Sequence, residues 1–124
     1  MTDTSTIRYT PEHEWVAVDG DIATVGVTRF AADSLGDVVY LELPAVGARV
    51  VAARVCGEIE STKSVSELYS PVDGEVVEVN QAAVDAPELV NAQPYDDGWL
   101  FRVRFDAVPD GLLDEAAYRE LVGA

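Results

Sequence analysis

The chain has 124 residues, with 23 acidic residues against eight lysines and arginines and a formal net charge of −15. This charge argues against nucleic acid and anionic membranes as partners, because both are bound through basic patches. One cysteine, Cys56, excludes an internal disulfide and suits a reducing compartment, and one histidine, His13, argues against a metal site built on several histidines or a His/Cys zinc cluster.

The N-terminal end predicts neither a membrane anchor nor export. No apolar run reaches the length of a membrane-spanning helix, and residues 1–6 lack the basic start and apolar run of a signal peptide. We therefore expect a cytoplasmic protein. The length fits one domain over residues 1–124, with a flexible start at 1–6, a core over about 7–105 and a C-terminal helix over about 114–122.

The first third of the chain predicts a hairpin, a short helix and a strand. Two β-rich runs, residues 15–18 and 22–27, flank an Asp-Gly pair, which is a strong hairpin signal. Thr28 is a candidate N-cap for a short helix, and Gly36 is its candidate stop. Strand character returns over residues 38–43.

Residues 46–80 consist of short β runs separated by turns that leave no room for helices between them. Such spacing is typical of an antiparallel sandwich or flattened barrel. Further on, residues 86–91 suit one or two helical turns with Asn91 as a stop. A last strand over 99–105 places alternate residues, Trp99 among them, on one face. The aromatic residues of the strands and Phe30 are predicted to lie in or beside the core.

The lone lysine of the chain, Lys63, lies at a predicted hairpin tip, whereas every other basic side chain apart from His13 is an arginine. An arginine stays protonated, but a lysine amine can be acylated. A hairpin tip would fix the root of an attached arm and leave its far end free to reach partners. The simpler interpretation is a solvated lysine paired with Glu60 or Glu67, worth at most about 1 kcal/mol.

The residues around Lys63 resemble a known motif. The run at 60–71, ESTKSVSELYSP, is similar to the lipoylation motif of the glycine cleavage system H-protein family. Seven further blocks of likeness follow the same order along the chain: YTPEHEW at 9–15, ATVGVT at 23–28, LGDVV at 35–39, ELP at 42–44, GEVVEVN at 74–80, PELVN at 87–91, and PY with GWL at 94–100.

The resemblance implies a mostly β fold with short helices, a lipoyl-domain-like barrel-sandwich with a C-terminal helix. It implies lipoic acid joined to Lys63 through an amide. The family's arm takes an aminomethyl group from pyridoxal-phosphate-dependent glycine decarboxylase, and a tetrahydrofolate-dependent aminomethyltransferase removes it. FAD-containing dihydrolipoamide dehydrogenase then reoxidises the arm. The chain would be a non-catalytic carrier, a monomer, and a substrate of lipoyl-attaching enzymes.

The resemblance also points to acidic residues that would hold the loaded arm, whose terminal amine should be cationic near neutral pH. Glu14 is the main candidate, with Glu12 and Glu67 assisting. Three departures from the family pattern are Glu67 where aspartate is common, Ala53 where glycine is common, and Thr62 and Ser64 beside the lysine. Alanine tolerates a positive φ poorly, so we expect the turn at Ala53 to be affected.

Four alternatives stay open at this point. Biotinyl domains place methionines beside the lysine, and the lipoyl domains of 2-oxoacid dehydrogenases lack the segment at 12–15 and the C-terminal helix. A carrier that relays lipoate to other proteins has no separate signature in the sequence. A hydrolase with Cys56 as nucleophile and His13 as base belongs to a different class and requires those two side chains to meet.

Overall fold

The computed structural model describes residues 7–107 and 111–123. Within these ranges the chain forms nine strands and four helices. In chain order they are β1 (Ile7–Tyr9), β2 (Glu14–Asp19), β3 (Ile22–Val27), α1 (Arg29–Leu35), β4 (Val38–Glu42), β5 (Arg49–Val50), β6 (Val55–Ser61), β7 (Val65–Tyr69), β8 (Asp73–Val79), α2 (Gln81–Asp85), α3 (Glu88–Ala92), β9 (Phe101–Ala107) and α4 (Glu115–Val122). The predicted flexible start at 1–6 lies outside the described residues.

Two antiparallel sheets form the body of the fold. The larger has the order β1-β2-β3-β9-β8-β5, and the smaller has the order β4-β6-β7. One hydrophobic cluster fills the space between them, with Val25, Phe101 and Val103 from the larger sheet against Ile59 and Leu68 from the smaller. The predicted mostly β sandwich with short helices and a C-terminal helix is confirmed, and the sheets do not close into a barrel.

Local sequence signals account for the path from β2 to β4. Asp19 pairs with Ile22 across a two-residue turn, in which Gly20 has φ 63°. The Thr28 side chain accepts a hydrogen bond from the backbone N–H of Ala31 and caps α1, while Gly36 ends the helix at φ 77°. The predicted hairpin, cap and stop are therefore confirmed, and they place the end of α1 directly before β4.

A second cluster fixes the C-terminal helix. Tyr118 of α4 stacks on Tyr9 with ring centroids 4.7 Å apart and packs with Ile7 and Trp15. The backbone of Leu113 both donates to and accepts from that of Tyr9, at 2.7 and 2.8 Å. This arrangement anchors α4 beside β1 and brings Tyr118 to the turn that precedes β2. None of the helices in the described ranges is long and apolar enough to cross a membrane.

Four local predictions were wrong or incomplete. Helix α2 was not predicted, Asn91 lies inside α3 instead of ending it, and β9 begins at Phe101, so Trp99 precedes the strand. Phe30 is 42% exposed instead of belonging to the core.

Ala53 adopts φ 64°, a conformation that costs an L-residue about 1–2 kcal/mol, and its N–H is held by the Ser70 carbonyl at 2.8 Å.

Candidate functional site

Lys63 is exposed at the tip of the hairpin between β6 and β7. The Ser61 hydroxyl braces this tip by accepting from the N–H groups of Lys63 and Ser64, both at 3.2 Å. The Thr62 N–H donates to the Asp37 carbonyl at 3.0 Å, which joins the tip to the start of β4. The backbone of Lys63 is thus held on both sides, while its side chain reaches solvent.

Gly36 lies beneath the stem of Lys63. A Cβ atom at Gly36 would come within 3.2 Å of Lys63 Cε, so the stem passes over the end of α1. The Asn91 amide holds this segment by donating to the Gly36 carbonyl at 2.7 Å and accepting from the Val38 N–H at 2.9 Å. The sequence predicts Asn91 only as a helix stop, because its partners are more than 50 positions away in the chain.

A cavity of about 150 Å³ opens beside α1 and is lined in part by β6 and β7, the two strands that the Lys63 hairpin joins. The turn before β2, β2 itself and β7 bring Glu12, Glu14 and Glu67 into its lining. The remaining lining residues are His13, Val27, Ala31, Ser34, Leu35, Ile59, Ser66 and Leu68. The three acids singled out from the sequence therefore share one cavity, whose other walls are largely apolar.

Glu14 is the buried acid of this cavity, with only 2% of its surface exposed. Its Oε1 accepts from the Thr10 hydroxyl at 2.6 Å, and its Oε2 accepts from the Tyr69 N–H at 3.3 Å. Burial raises the pKa of Glu14 to about 8, although these two hydrogen bonds oppose the rise. With no cation beside it, Glu14 is therefore mostly protonated at neutral pH.

Glu12 and Glu67 are the exposed acids of the cavity. Glu67 accepts a long hydrogen bond of 3.5 Å from the Tyr69 hydroxyl, and its charge is the main cause that raises the pKa of Tyr69. The longer side chain at position 67 still lines the cavity. The three acids thus differ in exposure, since Glu14 is buried whereas Glu12 and Glu67 face water.

His13 lies in the cavity wall with its backbone at φ 72°. Its Nδ1 is 2.8 Å from the Tyr118 hydroxyl, and its ring centroid is 4.7 Å from that of Phe30. Burial lowers the pKa of His13, and the neighbouring Glu12 opposes this. The role of Tyr118 was missed in the sequence, where the residue is only one of several apolar positions on the last helix.

Cys56 lies in a different place from His13. It lines an open groove of about 580 Å³ with Arg49 and Arg54, at the end of β6 opposite to the Lys63 tip. Burial raises the pKa of the Cys56 thiol to about 12, and a thiol that stays protonated is a poor nucleophile. The structure therefore places the two residues that a Cys/His hydrolase needs in the linings of different cavities.

Comparisons with known proteins agree over nearly the whole chain. The family model described as glycine cleavage H-protein matches residues 7–123. The glycine cleavage system H protein of Clavibacter sepedonicus is 58% identical over 123 residues, covering 99% of each chain. That of Thermobifida fusca is 60% identical over 121 residues, covering 98% of this chain and 96% of its own.

A solved structure matches as well. The crystal structure of a glycine cleavage system H protein from Mycobacterium marinum superposes with a TM-score of 0.91 and 43% sequence identity. The match covers 97% of this chain and 98% of that one. Both the sequence and the arrangement of strands and helices are therefore similar to those of proteins that carry this description.

Proposed function

Because the chain belongs to the glycine cleavage H-protein family, we propose that it is the lipoyl carrier of a glycine cleavage system, with lipoic acid attached to Lys63. One observation carries the proposal: the only lysine of the chain stands on a braced hairpin tip beside a cavity with three glutamates. When attached, the lipoyl group supplies a disulfide that accepts an aminomethyl group and electrons. The chain itself would hold and present that group without catalysing its chemistry.

The residues around Lys63 fit such an arm. Gly36 leaves room for a stem that runs from the tip along α1, where any larger side chain would press against it. The apolar lining, which includes Leu35, Ile59 and Leu68, suits a hydrocarbon chain, and the acids suit a cation at its end. Apolar walls and carboxyl groups in one cavity are therefore consistent with an arm that carries a terminal amine.

Glu14 would pair with that amine. An opposite charge within about 4–6 Å lowers a carboxyl pKa by about 1–3 units, which brings Glu14 from about 8 to neutral pH or below. Glu14 would therefore ionise as the cationic cargo arrives, and a proton would leave the cavity. The ion pair would form where water is largely excluded, and Glu12 and Glu67 would add negative charge at the exposed side.

The partners would be the enzymes that load, unload and reoxidise the arm. They are glycine decarboxylase with pyridoxal phosphate, the tetrahydrofolate-dependent aminomethyltransferase, dihydrolipoamide dehydrogenase with FAD, and the enzymes that attach lipoate. On the smaller sheet Glu58 lies directly opposite both Glu42 and Glu67, an arrangement of like charges that costs stability. Together with the net charge of −15 it favours docking to basic surfaces. The carrier would act as a monomer in the cytoplasm.

The proposal predicts a direct loading result. The protein in lipoylated and unlipoylated form is incubated with glycine decarboxylase and glycine labelled at C2, and the label bound to the chain is counted. We expect about one label per lipoylated chain, none on the unlipoylated chain, and release of the label by the aminomethyltransferase with tetrahydrofolate. Equal label on both forms, or none on the lipoylated form, would contradict the proposal.

A further inference from the structure

A chain of hydrogen bonds runs from the start of α1 through α4 to the wall of the cavity. The Ala31 N–H donates to Thr28 Oγ1 at 3.1 Å, Thr28 Oγ1 lies 2.7 Å from the Tyr118 hydroxyl, and that hydroxyl lies 2.8 Å from His13 Nδ1. Thr28 is fully buried and Tyr118 nearly so, at 6% exposed. The contacts join three segments that are up to 105 positions apart in the chain.

The burial of Thr28 sets the direction of these bonds. Its oxygen accepts from Ala31, and among the described residues the other partner of its hydroxyl is Tyr118. A buried hydroxyl hydrogen without an acceptor is costly, so Thr28 donates to the tyrosine oxygen. Tyr118 then gives its own hydrogen to His13 Nδ1, and the ring hydrogen of His13 lies on Nε2.

We infer that Tyr118 is a positioning residue that holds His13 as the neutral Nε2–H tautomer in the wall of the arm cavity. The consequence of this tautomer rests on the proposed function. A neutral imidazole leaves Glu14 without a competing cation when a cationic cargo arrives. Protonation of His13 would place a hydrogen on Nδ1. Both hydroxyls would then have to reverse, and the Thr28 hydrogen would lose its acceptor.

Burial of His13 favours the neutral ring, and the acid beside it opposes this effect. The charge of Glu12 beside it favours a charged imidazole, and Glu14 on β2 and Glu67 across the cavity are the other acids of the cavity lining. α1 offers the uncharged Phe30 ring, since the Arg29 side chain bonds to the carbonyls of α3 instead. The polar group of α4 that faces His13 is the Tyr118 hydroxyl. Tyr118 is thus placed to oppose the acids.

The backbone of His13 is held separately from its ring. The His13 N–H donates to the Thr10 carbonyl and its own carbonyl accepts from Thr28, both at 3.0 Å. In Tyr118→Phe the ring that stacks on Tyr9 remains, and only the hydroxyl is lost. The variant therefore isolates the hydrogen bond to Nδ1 from the packing of α4.

The test is long-range ¹H–¹⁵N NMR of the imidazole in unlipoylated protein, where the only histidine signals come from His13. We expect an unprotonated Nδ1 and a protonated Nε2 in the parent. Two control variants should give the same result: Thr28→Ser, which keeps the hydroxyl, and Tyr40→Phe, because Tyr40 is exposed on β4. In Tyr118→Phe we expect a mixed tautomer and a higher titration midpoint, because the neutral form loses its donor.

A second readout links the tautomer to the cargo. Lipoylated, loaded Tyr118→Phe should lose its aminomethyl group several-fold faster than the parent at pH 6, with the difference shrinking at pH 8. A protonated Nδ1 in the parent would overturn the inference without the use of any variant. An unchanged tautomer in Tyr118→Phe would overturn it as well, and both results would leave the proposed function intact. Failure of the lipoylated parent to accept label would instead overturn the proposed function.

Discussion

Replacing Glu14 with glutamine is expected to flatten the pH dependence of stability by about 3 kcal/mol between pH 5 and pH 7.5. Burial raises the pKa of Glu14 from 4.5 to about 8. As the pH rises, the unfolded chain therefore loses the Glu14 proton before the folded chain does. The contribution of Glu14 to the free energy of unfolding is complete below pH 4.5 and is lost as the pH rises to about 8. Each pH unit in this window lowers the free energy of unfolding of the parent by about 1.4 kcal/mol, whereas the glutamine side chain does not titrate and causes no such loss.

The measurement is urea unfolding of the parent and Glu14→Gln at a series of pH values. The other acids contribute equally to both proteins, so the difference between the two curves reports Glu14 alone. Glu12→Gln is the matched control for the loss of a carboxyl group from the same cavity, because Glu12 is exposed whereas Glu14 is buried, and the flattening should be larger in Glu14→Gln. Parallel curves for Glu14→Gln would show that Glu14 is ionised in the folded protein at neutral pH.

Glu14→Ala is expected to release the aminomethyl group from the loaded, lipoylated protein about tenfold faster than the parent at neutral pH. A hydrogen bond to a charged group contributes about 1.5–3 kcal/mol, and about 1.4 kcal/mol corresponds to a factor of ten. Without this partner the cargo would spend more time in water, where it is hydrolysed. The released one-carbon unit is followed with time after the loading enzyme has been removed.

The control for this experiment is Glu60→Ala. Glu60 lies on β6 between Tyr40 and Val65 of the neighbouring strands and outside the cavity lining, so its loss changes the net charge equally without touching the cavity. Release from Glu60→Ala should match the parent. Equal rates for Glu14→Ala and the parent would remove Glu14 from the account while leaving the role of Lys63 in place.

Features set by local sequence could be predicted. The hairpin at Gly20, the cap at Thr28, the stop at Gly36 and the exposed tip at Lys63 each depend on a few adjacent residues with strong backbone or side-chain preferences. The grouping of Glu12, Glu14 and Glu67 was reached through the family resemblance, since Glu14 on β2 and Glu67 on β7 belong to separate sheets. Spacing alone would not have brought them together.

Features set by distant contacts could not be predicted. The pKa of Glu14 is raised by its burial and lowered in part by the Tyr69 N–H, 55 positions away, and Nδ1 of His13 contacts the Tyr118 hydroxyl, 105 positions away. Helix α2 escaped notice because only Ala83 of its five residues is buried, which leaves no helical period to detect. Trp99 looked like the start of a strand, but the side chain of Asn80 binds its carbonyl at 2.7 Å, in place of a strand partner.

The central claim is that Lys63 carries the lipoyl group, and intact mass tests it most directly. The protein is expressed with a lipoate-attaching enzyme, its mass is measured, and the modified peptide is sequenced. We expect a single lipoyl increment on Lys63 and an unmodified mass for Lys63→Arg, which keeps the positive charge but offers no amine to acylate. A lipoyl increment that persists in Lys63→Arg, or a biotin increment in the parent, would contradict the account.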